Sequence, residues 1–314
     1  MKKIDLRTRV TSFIIYTMSS YRVSTITAKG SLGCHIDLDK FYSNLDENSI
    51  QNVLYIEYGK RKFDNSCCKG RIKKNIQMAN KSKRFDNQVT LLYEDESKEM
   101  YISTKVFRNG NLQMTGIKND QQGHDIMNII RGIIVDSYHK DNGVLINSAT
   151  EDDLVPNNYS ICLINSDFKV GFNVRRDVLY KILTTDYSNN CSYEPCIYPG
   201  VKIQYFFNTM NEEKNGICKC STTCIIGKKS GCGDGHCKKI TIAVFQSGSV
   251  IITGAQKSSQ IDEVYAYISN ILKTHEEKIK KVAFVDEEKP QNQFDKTKVV
   301  YLAKKNIILP ECMV

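Results

Sequence analysis

Between residues 216 and 239 the chain reads GICKCSTTCIIGKKSGCGDGHCKK, so that Cys218, Cys220, Cys224, Cys232, His236 and Cys237 crowd one glycine-rich stretch. Thiolates and imidazoles are the ligands of structural Zn²⁺, four at a time in a tetrahedron. Six candidates exceed that number, and the C-x-C-x₃-C spacing departs from the paired C-x₂-C of common zinc sites. The stretch reads as either one structural zinc site or a flexible reduced loop. No general base stands nearby to make a catalytic metal. The chain holds twelve cysteines. With no secretory signal legible, reduced thiols or metal ligands are expected rather than disulfides.

Charge marks a second stretch. The formal net charge is +9. KRKFDNSCCKGRIKKNIQMANKSKR, from Lys60 to Arg84, carries ten Lys or Arg against the single acid Asp64. Such a run is a solvated loop or a contact for a polyanion, since clustered cations release phosphate counterions. The start, MKKIDLRTRVTSFIIYTMSS, has a short apolar part interrupted by Tyr and Thr; neither a signal peptide nor a membrane span is expected. No enzyme is expected either. GKKSG near Gly227 lacks the upstream Gly of a phosphate loop, and no HExxH or nucleophile elbow occurs.

These stretches hang on a duplicated framework. VFRNGNLQMTG (Val106 to Gly116) returns as VFQSGSVIITG (Val244 to Gly254). Asn109-Gly110 and Ser247-Gly248 are two-residue hairpin turns. Each hairpin follows extended segments and precedes a helical one. Ile126, Ile129, Ile130, Ile133 and Ile134 share one face of the first helix; Ile261, Val264, Tyr265, Ile268, Ile271 and Leu272 share one face of the second, with Ser258 or Ser259 as its cap. In ITIAVFQSGSVIITG one sheet face carries Ile242, Val244, Val250 and Ile252, the other Ala243, Phe245, Ile251 and Thr253. One helix per half covers one face only. The other awaits a second layer, a dimer mate or a ligand, and a sheet presenting Phe and Thr suits a DNA minor groove.

The motifs resemble, in order, those of the TATA-box-binding protein family, in a divergent form. VSTITAKGSLGCHIDL (from Val23), KRF (Lys83 to Phe85), VGFNVRRDVL (from Val170) and SYEPCIYPGV (from Ser192) carry the resemblance over roughly residues 20 to 280. It implies an α+β saddle: two pseudo-symmetric repeats form a curved antiparallel sheet with two long helices on the convex face. Phe85, Phe107, Tyr198 and Phe245 match the aromatics that wedge into bent DNA. Val23, Thr115, Asn165, Ala243, Ile251 and Thr253 would face the groove. Tyr21 and Leu163 stand where the family has base-reading Asn residues, and Lys105 and Gln113 where it is apolar. Lys83, Arg84 and Lys118 match phosphate contacts, with Arg108 as a local addition. Tyr193, Glu194 and Pro195 match the stirrup that meets a TFIIB-like partner.

The resemblance divides the chain into an extension at 1–19, a first repeat at 20–142 with a basic insertion at about 46–82, and a linker at 143–158. A second repeat follows at 159–282, with the cysteine-rich insertion at about 211–239, then an extension at 283–314. It implies a transcription initiation factor that bends AT-rich promoter DNA and recruits a TFIIB-like factor and RNA polymerase. The alternative is a protein-interaction module on the same fold with weak DNA binding. Large insertions and a Lys-, Asn- and Ile-rich composition point to a large DNA virus or a divergent eukaryote, and so to the nucleus or a cytoplasmic virus factory.

Overall fold

The computed structural model describes residues 18–45, 52–58, 68–70, 87–94, 101–222, 224 and 227–281. All of these lie within one compact unit, Met1–Lys281; residues 282–314, which include the extension, lie outside the described residues. Two runs of elements follow the same order. The first is β1 (Arg22–Ser31), α1 (Leu38–Asn44), β2 (Val53–Tyr58), β3 (Cys68–Gly70), β4 (Gln88–Glu94), β5 (Tyr101–Phe107), β6 (Asn111–Ile117) and α2 (Asp120–Lys140). The second is β7 (Asn157–Lys169), α3 (Arg176–Thr185), β8 (Asn190–Ser192), β9 (Val201–Phe207), β10 (Lys238–Val244), β11 (Ser249–Ala255), α4 (Ser258–Thr274) and the short α5 (Glu276–Ile279).

The described strands join one sheet in the order β3-β2-β4-β5-β6-β1-β7-β11-β10-β9-β8. Each run thus builds one half, and β1 and β7 meet antiparallel at the centre. The halves agree in detail. Gly110 and Gly248 turn their hairpins at φ 75° and 78°. Gly110 accepts from the Leu32 N–H and Gly248 from the Val170 N–H, both at 2.9 Å. Gly116 and Gly254 take φ of 109° and 105°, each skipped by the register beside it. These glycines supply a backbone region costly for other residues.

Alternation along the strands makes one face apolar and covered. Ile242, Val244, Val250 and Ile252 are fully buried, as are Ile261, Val264 and Ile268 of α4; each such side chain contributes roughly 1.5–3 kcal/mol. On α2 Ile126, Ile130, Ile133 and Ile134 are buried as expected, but Met127 is buried too, while Ile129 stays half-exposed. The 3.6-residue period carries the stripe across Met127 as the helix crosses the twisted sheet.

Helix entry also differs from expectation. The Gln260 side chain, not Ser258 or Ser259, accepts from the Gln256 and Lys257 N–H groups at 2.8 and 3.3 Å. Its mate Gln122 accepts from Lys118 N–H at 2.8 Å. At α2 the Asn119 side chain also caps, accepting from Gln122 N–H at 2.8 Å. Asn119→Ala is expected to lower stability by about 1 kcal/mol, read as a shift in denaturant midpoint with unchanged slope.

The polar stretch read as a linker is packed. Its 3₁₀ turns, Asn142–Val144 and Glu151–Asp153, bury Val144, Leu145 and Leu154. The Arg131 Nε donates to the Leu154 carbonyl at 2.7 Å. Among the described residues no helix is long and apolar enough to cross a membrane.

Candidate nucleic-acid interface

The second sheet face is open to solvent over much of its area, with no helix packed on it among the described residues. Antiparallel partners share a face, so the register lays side chains in rows. In the second half one row runs Asp167–Ile251–Ala243–Lys202 and the next Asn165–Thr253–Thr241–Gln204. The mates in the first half are Lys29–Gln113–Lys105–Thr90 and Thr27–Thr115–Ser103–Leu92. Ala243, Ile251, Thr253, Asn165 and Thr115 therefore share this face; Ile251 is 37% exposed and Ala243 buried beside it, while Thr115, Asn165 and Thr253 are half-buried.

Thr253 Oγ1 donates to Asn165 Oδ1 at 2.6 Å, and Thr27 lies 3.4 Å from Thr115, oxygen to oxygen. These two pairs occupy equivalent places either side of the β1–β7 junction. The central polar groups are thus Asn165 and Thr27 with their threonines. Tyr21 is elsewhere: its hydroxyl donates to Asp262 of α4 at 2.6 Å and its ring packs on Tyr265. Burial and that bond push its pKa up to about 12, the Asp262 bond acting most. Val23 also leaves the groove side. It pairs with buried Ser166 and packs on the core, because the register shifts between Val23 and Thr25.

The aromatics stand at the far strand ends. Tyr198 and Phe245 pair with ring centroids 5.7 Å apart, and the Lys202 ammonium sits 3.9 Å over the Tyr198 ring. Gly200 allows this, since a Cβ there would meet Tyr198 at 2.9 Å. Phe107 holds the mate position of Phe245 and is half-buried, at the edge of a cleft shared with Thr27, Lys29 and Gln113. Phe85, Lys83, Arg84 and nearly all of the basic stretch lie outside the described residues. Arg108 is exposed. Lys118 turns its ammonium back to the Ser24 carbonyl and is half-buried.

Charged residues also lie on this face: Lys105, expected there from the sequence, and Lys29, Asp167 and Lys202, which were missed. Asp167 accepts from Ser24 Oγ at 2.5 Å and Arg22 Nε at 3.0 Å. Burial opposes its charge, but these bonds and the Arg22 and Lys118 cations outweigh it and hold the carboxyl below the usual range. Asp167 therefore stays ionised at neutral pH. The stability it contributes is present above the unfolded carboxylate pKa and is lost as pH falls through the depressed folded value.

The stirrup after β8 is fixed from below. Arg176 donates to the Pro199 carbonyl and to Gln246 Oε1 at 3.0 Å, and its guanidinium lies 5.4 Å from the Tyr193 ring centroid. Glu194 and Pro195 are exposed, Tyr193 half-buried. Ile197, absent from the expected contacts, is 80% exposed at the tip.

In the β9–β10 loop Cys218, Cys220, Cys224 and Cys237 bring their sulfurs within 4.8 Å of one another. Cys232 and His236 are exposed and outside this quartet. The six ligands read from sequence reduce to four because the loop turns the 231–236 segment outward: Gly231 N–H donates to the His236 carbonyl at 2.7 Å. These four thiols could hold a metal ion.

A twice-repeated antiparallel sheet, with helices on one face and none on the other among the described residues, defines a saddle-type protein of the TATA-binding class. Residues 160–275 match the family described as transcription factor TFIID, or TATA-binding protein. The chain is 30% identical over 263 residues to a TATA-box-binding protein-like protein of Acanthamoeba polyphaga mimivirus, over 82% of this chain and 66% of that one. It thus spans about two thirds of that relative's length. Among solved structures, Methanococcus jannaschii TBP aligns over 82% of this chain and 99% of its own, with 16% identity and a TM-score of 0.42. The chain belongs to the TATA-box-binding protein family, as a divergent member of the viral type. That family is one of non-enzymatic DNA-binding transcription factors.

Proposed function

We propose that the protein binds AT-rich promoter DNA through the minor groove, bends it, and recruits a TFIIB-like factor and RNA polymerase. The open face carries this reading. Phe107 and Phe245, the latter paired with Tyr198, stand at equivalent strand ends, with Thr115, Thr253, Ala243 and Ile251 on the face between them. Apolar wedges unstack base steps, and small side chains accept the A·T edge where the guanine amino group would intrude. Arg108 and the basic stretch supply phosphate contacts, and Glu194 with Pro195 the partner surface. Such a factor works in the nucleus or in a virus factory.

Duplexes labelled at both ends test this by fluorescence transfer. AT-rich DNA is expected to bind tightly with shortened end-to-end distance, GC-rich DNA more weakly. Straight, weak and strongly salt-dependent binding to both would overturn it.

Asp167, Lys105 and Gln113 favour a second reading, a saddle that grips protein instead of DNA. Asp167→Asn separates the two. Against DNA, removing a carboxylate from the contact face and freeing Arg22 is expected to tighten binding several-fold at low salt. No change in DNA affinity would favour the protein partner.

A further inference from the structure

We propose that Cys218, Cys220, Cys224 and Cys237 bind one Zn²⁺ as four thiolates, a closed site that anchors the β9–β10 loop along the free edge of β10.

The sulfur geometry carries the metal. Cys220 and Cys237 lie 3.4 Å apart, and Cys237 and Cys218 3.7 Å. A disulfide needs about 2.05 Å, whereas tetrahedral zinc at about 2.3 Å from each sulfur sets sulfurs about 3.8 Å apart. Both separations lie close to that tetrahedral edge, and all four sulfurs fall within 4.8 Å of one another. Hydrogen-bond donors already face the sulfurs: Asn208 Nδ2 donates to Cys237 Sγ at 3.4 Å and Cys224 N–H to Cys218 Sγ at 3.5 Å. Such outer contacts orient ligands and stabilise thiolate charge. Asn208 is itself buried and also donates to the Gly233 carbonyl at 2.9 Å, tying the metal site to the loop. Four sulfur ligands leave no open position, so the ion is structural and not catalytic.

The loop so closed extends the sheet. β9 flanks β10 from Lys238 to Val244, while β11 pairs only Thr241 to Val244. The edge of β10 that β11 vacates is taken by the loop: Lys239 N–H donates to the Gly227 carbonyl at 2.6 Å, and Lys228 bridges Lys238. A Cβ at Gly227 would lie 2.5 Å from that of Lys239 and 3.1 Å from the Phe206 ring, so only a bare backbone fits there. Lys228 takes the face of its partner Lys238, the side of buried Phe207 and Ile240, while Lys239 alternates to the open face with Thr241.

Elemental analysis of the full chain, purified under reductant with zinc in the medium, tests the metal. One Zn²⁺ per chain is expected, retained in Cys232→Ser and lost in Cys237→Ser and Cys220→Ser. Cobalt replacement should add the visible absorption of a tetrahedral thiolate site. Absence of zinc from the wild type, or its retention in Cys237→Ser, would overturn the site.

Discussion

Phe245→Ala is expected to weaken binding to a bendable AT-rich duplex by about 10- to 100-fold, the range of one lost aromatic–base contact. The bend should shrink with it, because the wedge at one end of the saddle is then missing. Phe245 does little for the fold. Its ring is half-exposed and its described aromatic contact is Tyr198 at 5.7 Å, so the melting temperature should hardly move. Phe107→Ala should act equally at the other end, and the double substitution should leave binding without bending. End-label fluorescence transfer reads the bend and titration of the same duplex reads the affinity. Full bending by the double variant would sink the wedge assignment.

Gly248→Ala should produce the largest loss of stability, roughly 3 kcal/mol or more. The residue sits at φ 78°, which costs an L side chain on the order of 1–2 kcal/mol. A Cβ would also lie 2.2 Å from the Phe172 carbonyl oxygen, a backbone atom that cannot move without disturbing the Val170 hydrogen bond. Typical domains have only about 5–15 kcal/mol to lose. Gly110→Ala meets the same geometry, 2.1 Å from the Cys34 carbonyl oxygen, and should match it. Gly132→Ala is the contrast. It lies inside α2 with nothing within 4 Å of the added methyl, so helix propensity alone should stabilise it by about 0.5–1 kcal/mol. Denaturant unfolding of the three variants checks the set; a Gly248→Ala protein as stable as the parent would refute the close packing at the turn.

Sequence patterns reached the parts of this structure that are governed by local rules. Asn109-Gly110 and Ser247-Gly248 announce hairpins because so few residues accept their dihedrals. The alternation in ITIAVF and SVIITG separates a covered from an open face because successive strand side chains point opposite ways. Where a bulge or a loop intervenes, the rule fails. Val23 reads as groove-facing until the shift before Thr25 sends it to the core. Tyr21 reads as a groove position until its hydroxyl is found on Asp262.

By itself, then, the sequence determined that this protein is a twofold repeat with turns, strand faces and helix stripes in a set order, bearing aromatic residues at matched strand ends. All of these depend on neighbours a few residues away. Only the tertiary structure decided that Asn165 pairs with Thr253, that Asp167 lies on the open face beside Ile251, and that four of the six candidate metal-ligating side chains converge. Those outcomes depend on cross-strand register and on loop closure. A single skipped residue, Gly116 or Gly254, resets the first, and the pairing of Gly227 and Lys228 with β10 closes the second.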